Sequence, residues 1–185
     1  MLLRRLGWTL AGSAPAHPRC VLIAAPHTSN WDFLYMLLYA AAFGLKVRWL
    51  AKKSLFNPAM GWFMRPLGGI AVDRGAAQDM VAELTAVFAR EPTLMLVIPT
   101  EATRAHTEYW KSGFYRIAKA ANVPVVPSYL DYKRRQAGFG PALIPTGDVS
   151  ADMQQLRDFY ADKIGLYPAQ FGPVRLREEI ADSSA

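Results

Sequence analysis

Sulfur cross-links are excluded by arithmetic, because the 185 residues hold one cysteine, Cys20, and no intramolecular disulfide can form. Long apolar runs are also lacking. No stretch reaches the ~18 consecutive apolar residues of a bilayer-spanning helix, so the chain does not read as an integral helical membrane protein. Met1 to Gly12 mixes Leu2, Leu3, Leu6, Trp8 and Leu10 with Arg4 and Arg5 but has no apolar centre or small-residue cleavage site of a secretory signal. It reads as retained: either a basic, Trp-bearing interfacial segment within residues 1–20, lying among lipid headgroups, or an element packed on the domain. There is no internal repeat, low-complexity tract or linker.

Several chemistries are missing as well. Trp110-Lys111-Ser112-Gly113-Phe114 lacks the G-x-x-x-x-G-K order of a phosphate-binding P-loop, and no G-x-S-x-G elbow offers a serine nucleophile. His106 has no second His or Cys at a zinc-like spacing and reads as a solvated loop residue, so no metal is expected.

What is present is a core. The chain is 52% hydrophobic, 12% aromatic and 19% charged, a composition that excludes disorder and fits a single domain over 1–185. Cys20, just before an apolar run, reads as a buried thiol. The net charge of +6 points to anionic partners. The basic residues are scattered as Arg4-Arg5, Lys52-Lys53 and Lys133-Arg134-Arg135 without a nucleic-acid motif. Lipid phosphates and an anionic membrane surface are therefore expected, and nucleic acid is not. Lys133-Arg134-Arg135 itself reads as a solvated turn.

Pattern supplies the elements. Val21 to Ala25 is a short apolar run closed by Pro26 and suits a buried strand. Trp31 to Phe43 follows the cap formers Ser29 and Asn30, ends at Gly44 and predicts an apolar helix. Lys46 to Ala51 predicts a strand, then a long loop punctuated by Asn57-Pro58, Gly61, Pro66, Gly68 and Gly69. Strands at Ile70 to Asp73, Thr93 to Pro99 and Val123 to Tyr132 alternate with helices at Gln78 to Arg90, Phe114 to Ala121 and, after Ser150, Ala151 to Lys163. Such alternation predicts an α/β fold, a single-domain sandwich whose largely parallel or mixed sheet is flanked by helices, with functional loops at strand ends.

The chemistry concentrates after the first predicted strand. Pro26-His27-Thr28-Ser29-Asn30-Trp31-Asp32 carries a His and an Asp five residues apart across a strand-to-helix junction. A carboxylate on one imidazole nitrogen fixes the tautomer and leaves the other nitrogen to accept a hydroxyl proton. Arg74 follows Leu67-Gly68-Gly69-Ile70-Ala71-Val72-Asp73, and Arg104 closes Glu101-Ala102-Thr103-Arg104. Each guanidinium sits just past a predicted strand, suited to phosphate.

These blocks, in this order, resemble the glycerolipid acyltransferase family, the PlsC-type enzymes similar to lysophosphatidate acyltransferase. The family's H-x-x-x-x-D block matches His27 to Asp32, its G-x-x-x-x-D-R-like block Gly68 to Arg74, its E-G-T-R block Glu101 to Arg104, and its V-P-x-x-P block Val123 to Pro127. The usual P-E-G-T-R is altered: Thr100 replaces the Pro and Ala102 the Gly, and the Ala102 methyl restricts positive φ and narrows the expected acceptor site.

The resemblance implies a glycerol-phosphate acyltransferase-like fold and an O-acyltransferase of phospholipid biosynthesis. The acyl donor would be acyl-CoA or acyl-carrier protein and the acceptor a lysophospholipid such as lysophosphatidate, with no cofactor. It makes His27 the general base, Asp32 its orienting partner, Arg74 and Arg104 contacts to acceptor phosphate, and Glu101 and Thr103 further acceptor-binding residues. Another lysolipid acceptor, or a catalytically silent lipid-binding protein, stays open as an alternative. The Trp62, Phe63 and Met64 cluster, with Lys52, Lys53 and Arg65, reads as lining an acyl groove, meeting a bilayer, or simple core. The expected location is cytoplasmic, peripheral on the inner face of the cell membrane.

Overall fold

Side-chain alternation along three short apolar strands divides the interior into two cores, one on each face of a sheet. The computed structural model describes residues 2–72 and 77–179. In chain order its main elements are α1 (Leu2–Arg5), β1 (Thr9–Ala11), β2 (Arg19–Ala24), α2 (Trp31–Ala42), β3 (Val47–Lys52), α3 (Pro58–Met64), β4 (Gly69–Val72), α4 (Ala77–Arg90), β5 (Leu94–Ile98), α5 (Gly113–Ala121), β6 (Val125–Asp131), β7 (Gln136–Phe139) and α6 (Val149–Tyr160). Among the described residues, seven strands form one sheet in the order β1-β7-β6-β2-β5-β3-β4. All neighbours are parallel except β6 and β7, so the sheet is mixed.

Successive residues of a strand point to opposite faces. Val21 and Ile23 of β2, Leu94 and Leu96 of β5, and Val125 and Tyr129 of β6 join one core with Leu84, Phe88, Phe114, Ile117 and Leu156 of α4, α5 and α6. Cys20 and Leu22, Val97, and Val126 and Leu130 join the other with Met36 and Tyr39 of α2. Strands buried on both faces explain why β2 and β5 read as apolar runs, while in β6 the run is interrupted by Pro127 and Ser128. Cys20 is buried, and burial pushes its thiol up to about 12.

Four details depart from the sequence expectations. The segment after Asn57 contains helix α3, where a loop was expected. Gly61 N–H donates to Asn57 O at 2.7 Å, and a Cβ at Gly61 would lie 2.9 Å from Phe56 O. The glycine therefore serves close packing within a helix, and Pro58 stands in the first turn, where its missing N–H costs nothing. Lys133-Arg134-Arg135 is a turn, but it joins β6 to an additional strand, β7. Arg135 turns the corner at φ 47, and Arg134 pairs with Asp131 at 2.6 Å. Helix α6 starts before Ser150, because Asp148 accepts the Ala151 N–H at 2.9 Å and caps it. At α2, Asn30 occupies the cap position without a side-chain cap bond, and the Ser29 hydroxyl takes the Trp31 N–H at 3.1 Å instead.

The opening segment is tied to the body. Thr9 to Ala11 pairs with Gln136 to Gly138, and Trp8 is 3% exposed, buried with Leu3 in the second core. The Trp8 ring is thus committed to packing. No helix among the described residues is long and apolar enough to cross a membrane.

The topology places one crevice. From β2 the chain passes through α2 to β3 on one side, and from β5 it returns through α5 to β6 on the other. Open α/β sheets bind ligands outside the carboxyl ends of strands at such a reversal. Here that location is the end of β2, between the ends of β5 and β6.

Candidate active site

His27 leaves the end of β2 immediately after a cis Ala25–Pro26 peptide, and Asp32 lies in the first turn of α2. His27 Nδ1 stands 3.3 Å from Asp32 Oδ2. The same oxygen accepts the N–H groups of Thr28 and Ser29, each at 2.9 Å. The carboxylate therefore shapes the loop that carries its imidazole partner. Its second oxygen, Oδ1, accepts the Tyr132 hydroxyl at 2.6 Å. Both oxygens of this buried carboxylate are thus satisfied by donors.

Glu101, just past β5, is 2% exposed. Its Oε1 accepts the His27 N–H at 3.0 Å, and Oε2 is buried without a hydrogen-bond partner. Burial pushes this carboxyl up to about 7, and the bond from His27 opposes the rise only in part. The geometry makes Glu101 a holder of the His27 loop.

Ala102, next in the chain, adopts φ 55, the left-handed region a glycine would enter freely. Thr103 and Arg104 follow on an exposed turn, in which the Thr103 hydroxyl accepts the Ala105 N–H at 3.2 Å. The two loops are fastened from further along the chain. Tyr167 N–H donates to the Thr28 hydroxyl at 3.2 Å. The Gln170 amide nitrogen, oriented to satisfy its neighbours, donates to the carbonyls of Thr28 (2.8 Å) and Arg104 (2.6 Å).

These pieces surround a cavity of about 610 Å³, lined by His27, Asn30, Asp32, Ala102, Thr103 and Arg104 together with Phe33, Met36, Trp49, Met64, Val97 and Leu130. His27, Asn30, Thr103 and Arg104 come from the loops at the strand ends, Asp32 from the first turn of α2, and the large apolar side chains from α2, α3 and the strands. An imidazole, a guanidinium and an apolar recess thus share one crevice, a largely apolar pocket on which a few polar groups converge.

Of the six residues expected to form the site, His27, Asp32, Thr103 and Arg104 line this cavity, and Glu101 lies behind it on the His27 N–H. Arg74 lies outside the described residues. His106 is exposed, 4.0 Å from Glu108. Tyr132, Tyr167 and Gln170 belong to no motif of the sequence, and only Tyr132, at the carboxyl end of a predicted strand, stands where a site residue is expected.

An imidazole held by a buried carboxylate thus stands over an apolar recess. The Acyltransferase family model matches residues 11–131, a span containing His27, Asp32, Glu101 and Arg104, and the chain belongs to that family. Among solved structures it is similar to the 1-acyl-sn-glycerophosphate (LPA) acyltransferase PlsC from Thermotoga maritima. The TM-score is 0.54 at 20% identity, covering 86% of this chain and 70% of that one. At that identity the likeness is one of fold. No curated protein matches the chain.

Proposed function

We propose that the chain transfers a fatty acyl group from acyl-CoA or acyl-carrier protein to the hydroxyl of a lysophospholipid such as lysophosphatidate. The observation that carries this reading is the His27–Asp32 pair at the mouth of the 610 Å³ recess. His27 accepts the hydroxyl proton as the acceptor oxygen attacks the thioester carbon, and Asp32 stabilises the imidazolium that forms. The tetrahedral intermediate then expels thiolate, which takes the proton from the imidazolium, so the base is restored. No acyl-enzyme is needed, because the thioester is already activated.

Arg104 at the mouth supplies a cation for the acceptor phosphate, a role that Arg74 shares by resemblance, and Thr103 adds a hydroxyl. The apolar recess receives the acyl chain, where each buried methylene is worth about 0.8 kcal/mol. Attachment to the inner face of an anionic membrane draws support from Trp62 and Phe63 of α3, 73% and 50% exposed, beside exposed Lys53 and Arg65.

The test is incubation of purified protein with labelled acyl thioesters and a lysolipid panel, with products identified by mass spectrometry. Diacyl product should appear, and His27→Ala should lower kcat about 10²- to 10⁴-fold without loss of fold. A folded His27→Ala protein working at the parental rate would exclude the pair as the catalytic centre. Lipid binding without any transfer would favour a silent lipid-binding protein.

A further inference from the structure

We propose that Tyr132 is a positioning residue of this site, extending the His27–Asp32 pair into a three-membered chain and setting the pH at which the imidazole works. This rests on the reading of His27 as the base. Tyr132 lies one residue past β6, and its hydroxyl donates to Asp32 Oδ1 at 2.6 Å across a separation of 100 residues. Oδ2 already receives Thr28, Ser29 and His27. Among the described residues, Tyr132 is the donor that serves the other oxygen.

The phenol is built to stay in place. Its ring meets Trp8 edge-on at 5.1 Å and Tyr35 at 5.9 Å, both at 85°. Its backbone N–H donates to Ile164 O at 2.9 Å. An aromatic box drawn from the opening segment and α2 therefore aims the hydroxyl, and side-chain freedom at Tyr132 is largely spent before substrate arrives. Burial, with the bond to Asp32, holds the phenol far above its ordinary range, so it acts as a donor throughout the working pH range.

The other titratable and charged groups that face this chain are Tyr35 of α2, Tyr167 of the closing segment, Glu101 past β5, and Arg104 at the cavity mouth. None of them donates to Oδ1. A donor to one carboxylate oxygen draws charge away from the other and fixes the plane of the carboxylate. Without it, Asp32 would hold a protonated His27 more tightly and would be free to turn. The base would then be idle over a wider acid range and less well aimed at neutral pH.

Tyr132→Phe keeps the ring in its box and deletes the hydroxyl. The expected result is a kcat about tenfold lower, unchanged KM for both substrates, and an acid limb of the kcat/KM profile moved to higher pH. Installing 3,5-difluorotyrosine at position 132 strengthens the donor and should move that limb the opposite way. This variant decides the matter if Tyr132→Phe does not fold.

A ¹⁵N NMR titration of the His27 ring in wild type and variants reads the coupling without any substrate. Its midpoint should rise in Tyr132→Phe and fall with the fluorinated phenol. Identical His27 titrations in all three proteins, or a kcat loss that tracks the melting temperature with an unmoved acid limb, would overturn the proposal. Failure of the underlying reading looks different: the titrations move as expected, but His27→Ala leaves acyl transfer intact or the wild type transfers nothing.

Discussion

Glu101 Oε1 accepts the backbone N–H of His27 at 3.0 Å, so the acidic residue after β5 secures the loop bearing the imidazole from a neighbouring strand end. Glu101 thereby resembles a buckle more than a substrate ligand. With Asp32 on the N–H groups of Thr28 and Ser29 and Gln170 on the Thr28 carbonyl, the loop is fixed before any substrate enters. Preorganisation of this kind holds the imidazole in one geometry without help from a bound ligand.

The Glu101 carboxyl, raised by burial from an ordinary 4.5 to about 7, should impose a pH dependence on stability. The folded protein binds the proton more tightly than the unfolded chain. This contribution is therefore fully present below pH 4.5 and is lost as pH rises through about 7. Glu101→Gln retains an oxygen for the His27 N–H and stays neutral. Relative to wild type the variant should gain stability on going from pH 4.5 to pH 8, by on the order of 3 kcal/mol. Urea melts at the two pH values check it, and parallel curves would show that Glu101 is not buried as described.

Asp32→Asn should separate chemistry from folding. The amide can present its oxygen to the Thr28 and Ser29 N–H groups only by turning its NH₂ toward the Tyr132 hydroxyl, which then loses its acceptor. A stability cost of about 1–2 kcal/mol follows. The loss of kcat should be far larger, about 10²- to 10⁴-fold, because the neutral amide no longer stabilises the imidazolium. Denaturant melts and steady-state kinetics on one preparation check both; a kcat within twofold of wild type would remove Asp32 from the mechanism.

Ala102 sits at φ 55, where an alanine methyl is strained and a β-branched side chain more so. Ala102→Gly should be as stable as wild type or gain up to about 1 kcal/mol, the relief of strain offsetting the added freedom of the unfolded chain. Ala102→Val should lose about 1–3 kcal/mol. Equal melting of the three proteins would place this residue in an ordinary conformation.

The sequence made the central strands legible for a physical reason. β2, β5 and β6 are buried on both faces; β2 and β5 read as apolar runs bounded by Pro or charge, and β6 as a run interrupted by Pro127. β1 and β7 were not legible: with three and four residues they are too short to show a pattern, and although β7 makes a hairpin with β6, β1 finds its partner at Gln136 to Gly138, far along the chain. α3 was masked by Gly61 and Pro58, which signal breaks yet here serve tight packing and a first turn. In the site, His27 and Asp32 are five residues apart and one turn joins them, so local spacing exposed them. Glu101 was visible from its block, but its partner was not, because the His27 N–H reaches it only through the parallel pairing of β2 with β5. Tyr132 and Gln170 meet the loop by topology alone.

The fastenings of the His27 loop also order events in time. Asp32 leaves the ribosome early, whereas its partner Tyr132 is 100 residues away and the Tyr167 N–H reaches Thr28 across 139. At typical synthesis rates the loop waits on the order of ten seconds for its last support. Contacts of such long range are slow to close. The nascent chain thus carries the His27 loop without the contacts that fasten it until Tyr167 and Gln170 have docked.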